Sequence, residues 1–283
     1  MAEWDQGLLD KMQAAFVERH LGVPALVEDM SWGLVDTHVL HVRTGDQDFV
    51  VKAAGPDNHH IPREITAYES YTAPLARSGR AARLVTSDRA TNLLITEYQP
   101  GVLVEETPFE WASDVHAQAG LLLRSLHDQQ ERVDTDYERR ATAKALSWLD
   151  RPHRISPRVD AEARRILGAY RPAPVVVVPT HGDWHPRNWL IDDDRVRVID
   201  FGRFDFRPRE TDLCRLANQQ WREIPALEVV FLNGYGADPR GEEVWPIELL
   251  REAISTAAWA FLVGDVAFEA QGHRMLDEAI SRF

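Results

Sequence analysis

Residues 175–202 read VVVVPTHGDWHPRNWLIDDDRVRVIDFG, and this run limits the possible folds more than any other part of the chain. Its four consecutive valines suit a short buried strand. The strand leads straight into a loop that Pro186 keeps from becoming helical. NWLI and VRVI then alternate as two short strands around the acidic turn Asp192-Asp193-Asp194, which makes a hairpin. Asn188 lies near the start of its first strand and Asp200 at the end of its second. Both side chains can therefore approach one point, with Asp183 just before them on the loop. Turn chemistry alone accounts for the three tip aspartates, because Asp fills turns for conformational reasons. It does not account for H-G-D-x-x-x-x-N followed by a strand-borne I-D-F-G.

A hard divalent cation such as Mg²⁺ takes oxygen ligands of this kind, few from protein and the rest from phosphate and water. Asn188 and Asp200 are the expected ligands, which leaves Asp183 to face a substrate hydroxyl. His181 and His185 would suit zinc, but no third spaced ligand accompanies them.

The first half carries strand signals. Runs around VLHV and DFVVKA flank a Thr-Gly-Asp turn and predict a hairpin. IPREITAYESYTAPLARSG predicts a helix with Pro62 near its start and Gly79 near its end. RLVTSDRATNLLITEYQPG returns to strands and stops at Pro100-Gly101. Beyond that break the pattern is mainly helical. FEWASDVHAQAGLLLRSLHDQ places Trp111, Val115, Ala119, Leu122, Leu123 and Leu126 on one face. DAEARRILGAY predicts a shorter helix, and residues 245–283 predict one long helix or two shorter ones. The expected fold class is α+β. A small mostly-β lobe, residues 1–98, would be joined at a hinge near residue 99 to a larger mostly-α lobe, residues 99–283. Such a join favours a ligand cleft between the lobes.

HGDWHPRN and IDFG resemble the catalytic loop and metal-binding segment of the aminoglycoside phosphotransferase and choline kinase superfamily, small-molecule relatives of protein kinases. The resemblance implies a bilobal protein-kinase-like fold, with ATP and Mg²⁺ as cofactors. It makes Asp183 the catalytic residue, with Asn188 and Asp200 holding Mg²⁺ on the phosphates and His181 a structural loop residue. Lys52, at the end of DFVVKAAG, matches the lysine that meets the phosphates. Glu64 in PREITAYES matches its partner carboxylate, with Glu69 on the same helix as the alternative. The glycine-rich loop of protein kinases is reduced to SWGLVDTHV, where Ser31 and Gly33 are the candidate backbone donors to phosphate. LLITEYQPG matches the hinge, with adenine contacts on the Thr96 carbonyl and the Tyr98 N–H. Asp212 in RPRETDLCRL resembles an aspartate that braces the catalytic loop, or else is a helix N-cap or first-turn acid. Trp32 is either part of the phosphate loop or a core residue.

The formal net charge of −13 argues against nucleic acid as a partner. No apolar run reaches the length of a membrane span, since AISTAAWAFLVGDVAF is interrupted by Gly264 and Asp265. MAEWDQGLLDKMQAAFVERH reads as an amphipathic helix without a signal peptide's basic-then-apolar layout, so a cytoplasmic location is expected. The single cysteine, Cys214, rules out an internal disulfide and reads as a core residue.

The expected acceptor is a small molecule, with the enzyme a monomer or homodimer. Glu242, Glu243, Glu248, Glu252, Asp265, Glu269, Asp277 and Glu278 crowd the last helices. They point to a cationic antibiotic, an aminoglycoside or basic peptide, and so to resistance. The alternatives are an amino alcohol, an amino sugar or another metabolite, or a nucleotide-binding pseudokinase. A protein kinase is disfavoured, because the stretch from IDFG to RPRETDL is short and lacks A-P-E.

Overall fold

A computed structural model describes residues 4–33 and 36–283. Leu34 and Val35, inside the reduced glycine loop, lie outside the described residues. In chain order the N-terminal part holds α1 (Lys11–Leu21), β1 (Ala25–Asp29), β2 (Thr37–Thr44) and β3 (Gln47–Ala54). Next come α2 (His60–Ser70), α3 (Ala73–Arg77), β4 (Leu84–Asp88), β5 (Leu93–Glu97), β6 (Val102–Leu103) and α4 (Ser113–His127). The middle holds β7 (Arg132–Asp134), α5 (Tyr137–Leu149), α6 (Pro157–Ala169), β8 (Val175–Thr180), β9 (Trp189–Asp192), β10 (Arg195–Val198) and β11 (Asp205–Arg207). The chain ends in α7 (Cys214–Asn218), α8 (Gln220–Glu223), α9 (Pro225–Tyr235), α10 (Val244–Val263) and α11 (Val266–Ile280).

These elements form two compact units, neither continuous in sequence. The first gathers Met1–Gln129, His181–Asp205 and Val229–Gly236; the second gathers Gln130–Thr180, Phe206–Glu228 and Ala237–Phe283. The catalytic-loop segment and its hairpin thus belong with the N-terminal sheet.

The first unit is built on an antiparallel five-stranded sheet of order β1-β2-β3-β5-β4. Leu40 and Val42 on β2, Phe49, Val51 and Ala53 on β3, and Leu93 and Ile95 on β5 alternate onto one face, where they pack with Val17 of α1. Complete burial of such a side chain stabilises by about 1.5–3 kcal/mol. The same alternation turns Lys52 to the opposite face of β3. Helix α1 starts ten residues into the chain because Asp10 and Gln13 form a reciprocal capping box. The helix expected over residues 61–79 is two: α2 stops at Ser70, and Pro74, which has no N–H to donate back, opens the next turn. Trp111 is not on the face of α4 but in a separate 3₁₀ turn, Pro108–Trp111, and is exposed. Val115, Ala119, Leu122, Leu123 and Leu126 are buried as their spacing requires.

The hairpin of β9 and β10 pairs Asp192 with Arg195, which leaves Asp193 and Asp194 as a two-residue loop. Both tip residues have positive φ, 46° and 58°, as a type I′ turn demands. Elsewhere in this unit, glycines bring two helix backbones together. A Cβ on Gly120 of α4 would sit 2.2 Å from the Phe231 carbonyl oxygen, and one on Gly234 of α9 would sit 2.2 Å from the Ala117 carbonyl oxygen.

In the second unit α5, α6, α10 and α11 enclose a core that includes Ala145, Leu149, Ile166, Leu167, Ile254 and Leu276. Residues 245–283 form two helices, divided where Gly264 takes the left-handed conformation (φ 79°) and Asp265 caps α11. One guanidinium serves two buried carboxylates here: Arg251 donates to Glu248 at 2.7 Å and to Glu138 at 2.8 Å. Burial raises the Glu248 carboxyl to about 7 in spite of Arg251, and burial likewise raises Glu210 to about 7. Cys214 is a buried core residue whose thiol is pushed up by desolvation.

Two outcomes are expected in urea unfolding and thermal melts. Gly120→Ala and Gly234→Ala should each lower stability by about 1–3 kcal/mol through overpacking. Gly168→Ala in α6, where a Cβ meets nothing within 4 Å, should raise it by about 0.4–1 kcal/mol. As for pH, Glu210 and Glu248 hold more protons folded than unfolded between about 4.5 and 7. Their contribution is full below the unfolded value and is lost as pH rises through about 7. The melting temperature should therefore be lower at pH 8 than at pH 6, and Glu248→Gln should flatten that slope.

Candidate active site

All five residues expected to carry the chemistry fall in the first unit. Lys52 points from β3 towards α2, and its Nζ lies 2.8 and 3.1 Å from the two oxygens of Glu64. The same Nζ lies 3.1 Å from Oδ1 of Asp200. Glu64 is 2% exposed while the Asp200 side chain is half-exposed, so the group is anchored inward and open outward. Glu69, the alternative partner, is exposed and pairs instead with Arg89 at 2.8 Å.

The charges explain the shifts. Burial pulls the Lys52 ammonium down, but Asp200 and Glu64 together outweigh it and hold the pKa well above the usual lysine value. Lys52 holds the Asp200 carboxyl below the usual range, against burial and the nearby charge of Asp183. Burial pushes Glu64 up, and Lys52 only partly offsets it.

Asp200 has φ 62°, a left-handed conformation uncommon for a residue other than glycine. Gly202 follows it closely: a Cβ there would come 3.3 Å from Asp200 Oδ1 and 3.4 Å from the His60 Cβ. His60 makes a hydrogen bond from Nδ1 to the Gly202 carbonyl at 2.9 Å. No motif marks His60 in the sequence, although it precedes Glu64 by four residues and so shares its helix face. Phe201 is fully buried between Tyr68 and His181, with ring centroids 5.5 and 4.9 Å away.

On the catalytic loop, His181 is buried. Its Nε2–H donates to the Ile199 carbonyl at 3.0 Å, and its Nδ1 accepts from the Asp183 N–H at 3.2 Å. One neutral tautomer serves both bonds. Asn188 donates from Nδ2 to the Asp183 carbonyl at 2.8 Å and to Asp183 Oδ2 at 3.2 Å. His185 is 3% exposed, with Nε2 3.6 Å from Asp183 Oδ1. Asp183 is thus held by its own loop.

Asn188 and Asp200 fit a hard cation. The amide nitrogen of Asn188 is spent on Asp183, which leaves its oxygen as a ligand, and half the Asp200 carboxylate faces solvent. Among the described residues no cluster of three or more His, Cys, Asp or Glu is arranged to hold a metal, as the zinc alternative requires.

Three expectations, for the backbone groups of Ser31, Tyr98 and Thr96, need correction. The Ser31 N–H is engaged, donating to Asp29 Oδ1 at 3.0 Å, and its hydroxyl accepts from the Val39 N–H at 2.9 Å. Ser31 therefore closes an Asx turn and does not offer its amide to phosphate; Gly33 stays exposed. The Tyr98 N–H donates to the Asp48 carbonyl at 3.1 Å, as an extension of the β3–β5 ladder. Thr96, two residues earlier and opposite Val50, faces β3 in the same way, so its carbonyl is also committed. The backbone groups that face away from β3 are those of Glu97 and Gln99. Trp32 is 38% exposed and is not core. Asp212 is buried in the first turn of a 3₁₀ helix, Arg209–Leu213, in keeping with the reading as a first-turn acid.

The model of the phosphotransferase enzyme family matches residues 32–245. The chain belongs to this family. It is a phosphotransferase, and the match takes in Lys52, Glu64, Asp183, Asn188 and Asp200. No curated protein matches it by sequence. Solved structures are nevertheless similar over nearly the whole chain. Choline kinase LicA from Streptococcus pneumoniae aligns with a TM-score of 0.69 at 14% identity, covering 97% of this chain and 100% of that one. A thermostable mutant of aminoglycoside phosphotransferase APH(4)-Ia gives 0.67 at 14%, covering 95% and 98%. Macrolide 2′-phosphotransferase MphH from Brachybacterium faecium gives 0.60 at 19%, covering 93% and 96%. These likenesses show the kinase-like fold.

The pairing of Lys52 gives a direct test. Glu64→Gln should lower phosphotransfer by up to about a hundredfold, the scale of loss when a charged group is misplaced by an ångström. Glu69→Gln, five residues on, should leave turnover within about twofold, since exposed pairs contribute little. Steady-state turnover of the two variants decides it.

Proposed function

We propose that this phosphotransferase is a small-molecule kinase that moves the γ-phosphoryl group of ATP, with Mg²⁺, to a hydroxyl. The carrying observation is the joint geometry of Lys52 between Glu64 and Asp200, and of Asp183 held by Asn188. In this reading residues 1–98 form the nucleotide lobe and residues 99–283 the catalytic and acceptor lobe, in a cytoplasmic monomer or homodimer. Support for the nucleotide comes from the relatives: APH(4)-Ia has been solved in ternary complex with ADP and hygromycin B, and LicA with AMP. No helix among the described residues is long and apolar enough to cross a membrane.

Each residue then has a defined task. Lys52, positioned by Glu64, neutralises phosphate charge. Asn188 and Asp200 would hold Mg²⁺, which supplies further neutralisation when bound. Asp183 orients the acceptor hydroxyl and takes its proton late. The loose transition state leaves positioning and charge as the main sources of rate. With Tyr98 and Thr96 tied to β3, adenine would be read by the Glu97 carbonyl and the Gln99 N–H.

Two acceptor readings remain. A cationic antibiotic, with resistance as the outcome, is supported by the net charge of −13 and the acidic C-terminal helices. However, Glu248 and Glu278 pair with Arg251 and Arg222 at 2.7 and 2.9 Å, Glu252 lies 3.7 Å from Arg215, and Glu269 pairs with Arg154. This neutralisation favours the second reading, an amino alcohol, amino sugar or other hydroxylated metabolite. A cavity of about 370 Å³ in the second unit, lined by Trp221, Trp245, Arg240, Glu228 and Glu278, has a mixed rather than an acidic wall.

The test is Mg²⁺-dependent ADP release across aminoglycosides, cationic peptides, choline-like alcohols and amino sugars. Asp183→Asn should lose about 10²–10⁴-fold in turnover while it keeps nucleotide affinity. A variant with most of its turnover intact removes the assignment. Nucleotide binding without transfer to any acceptor favours a pseudokinase.

A further inference from the structure

The loop between β1 and β2 has a single glycine, Gly33, and the Ser31 amide is engaged by Asp29, so its described residues offer triphosphate fewer backbone donors than a glycine-rich loop does. The site also carries an excess of negative charge. Lys52 faces Glu64 and Asp200, and the Asp183 charge acts on Asp200. A nucleotide triphosphate entering here needs cationic donors beyond Lys52 and a metal ion.

Arg187 stands where such a donor is wanted. It lies on the catalytic loop, four residues after Asp183 and directly before Asn188, in the 3₁₀ turn Pro186–Asn188. Its guanidinium carbon sits 4.4 Å from the ring centroid of Trp32, the residue between Ser31 and Gly33. A cation over an aromatic ring is held by the ring's quadrupole, an attraction that uses charge and leaves the five N–H donors available for hydrogen bonds. Among the described residues no carboxylate or carbonyl accepts from these donors at hydrogen-bond distance. Glu105 is close enough for the Arg187 and His185 charges to oppose the rise that burial imposes on its carboxyl. That is a through-space effect and does not use the donors. An exposed arginine held over an aromatic ring, with no acceptor for its donors among the described residues, is suited to receive an anion, and bidentate phosphate recognition is what the guanidinium fork does best.

We propose that Arg187, held in place by Trp32, is a phosphate-binding residue of the nucleotide site that adds to the few backbone donors of the β1–β2 loop. The contact also ties the β1–β2 loop to the catalytic loop, so nucleotide and metal ligands are positioned together. This assignment rests on the kinase reading of the same site.

Calorimetric titration with the non-hydrolysable analogue AMP-PNP plus Mg²⁺, and separately with AMP, tests it without any acceptor. Arg187→Ala should weaken AMP-PNP about tenfold or more, the loss of one charge-assisted contact, and leave AMP within about twofold. Trp32→Leu should weaken AMP-PNP by a smaller factor. The double variant should be no worse than Arg187→Ala alone, because the tryptophan acts through the arginine. Thermal melts should stay close to wild type, since both residues are exposed. Unchanged AMP-PNP affinity in Arg187→Ala, equal losses for AMP and AMP-PNP, or additive single variants would each overturn the proposal. A wild-type protein that binds neither nucleotide would overturn the kinase reading, and this assignment with it.

Discussion

One ammonium group between two carboxylates organises the first unit. Lys52 meets Glu64, 12 residues away on a helix, and Asp200, 148 residues away beyond a hairpin. Strand, helix and hairpin must all be in register before the three groups can meet. Burial makes the arrangement demanding. Glu64 is almost fully enclosed, and an enclosed carboxylate deprived of its cation costs about 3–5 kcal/mol. The alternation of β3 makes the meeting possible, by sending Phe49, Val51 and Ala53 to the α1 face and Lys52 to the other. The core pattern that stabilises the sheet is therefore also what aims the lysine.

Asp200 carries the second constraint. Its left-handed backbone is a local strain of the kind that persists only where the surroundings over-determine it. Here those surroundings are Lys52 on its carboxylate, the packed ring of Phe201 after it, and Gly202 gripped through its carbonyl by His60. A larger residue at 202 would crowd Asp200 and the α2 helix together.

What was legible in the sequence follows from the range of each signal. Asp183, Asn188 and Asp200 stand in one continuous stretch, and strand alternation with turn chemistry was enough to bring them together. Lys52 and Glu64 needed the family resemblance, because nothing local says that a strand end and a helix 12 residues on share a charge. Backbone commitments were not legible. The Thr96 and Tyr98 backbone expectations follow from position along a motif, whereas hydrogen-bond direction is set by strand register, and one residue of shift reverses it; the Ser31 amide is taken by the Asp29 side chain. Trp111 missed its helical face because Thr107 and Pro108 open a separate 3₁₀ turn ahead of α4. His60 and Arg187 passed unnoticed, since a lone His and a lone Arg carry no motif and gain meaning only from Gly202 and Trp32.

Composition alone does not fix the acceptor. A chain of charge −13 with acids massed on its last helices suggests an anionic site for a cation. In the second unit, however, Arg251, Arg154, Arg222 and Arg215 stand opposite Glu248, Glu269, Glu278 and Glu252. Net charge counts residues, whereas a ligand responds to unpaired charge at a surface, and the two diverge where arginines lie within reach of acids on neighbouring turns and helices. The same distinction runs the other way in the first unit. There Arg187 is one cation in an acidic chain, yet its donors are unspent, and that makes it weigh more on an incoming phosphate than the many charges already paired elsewhere.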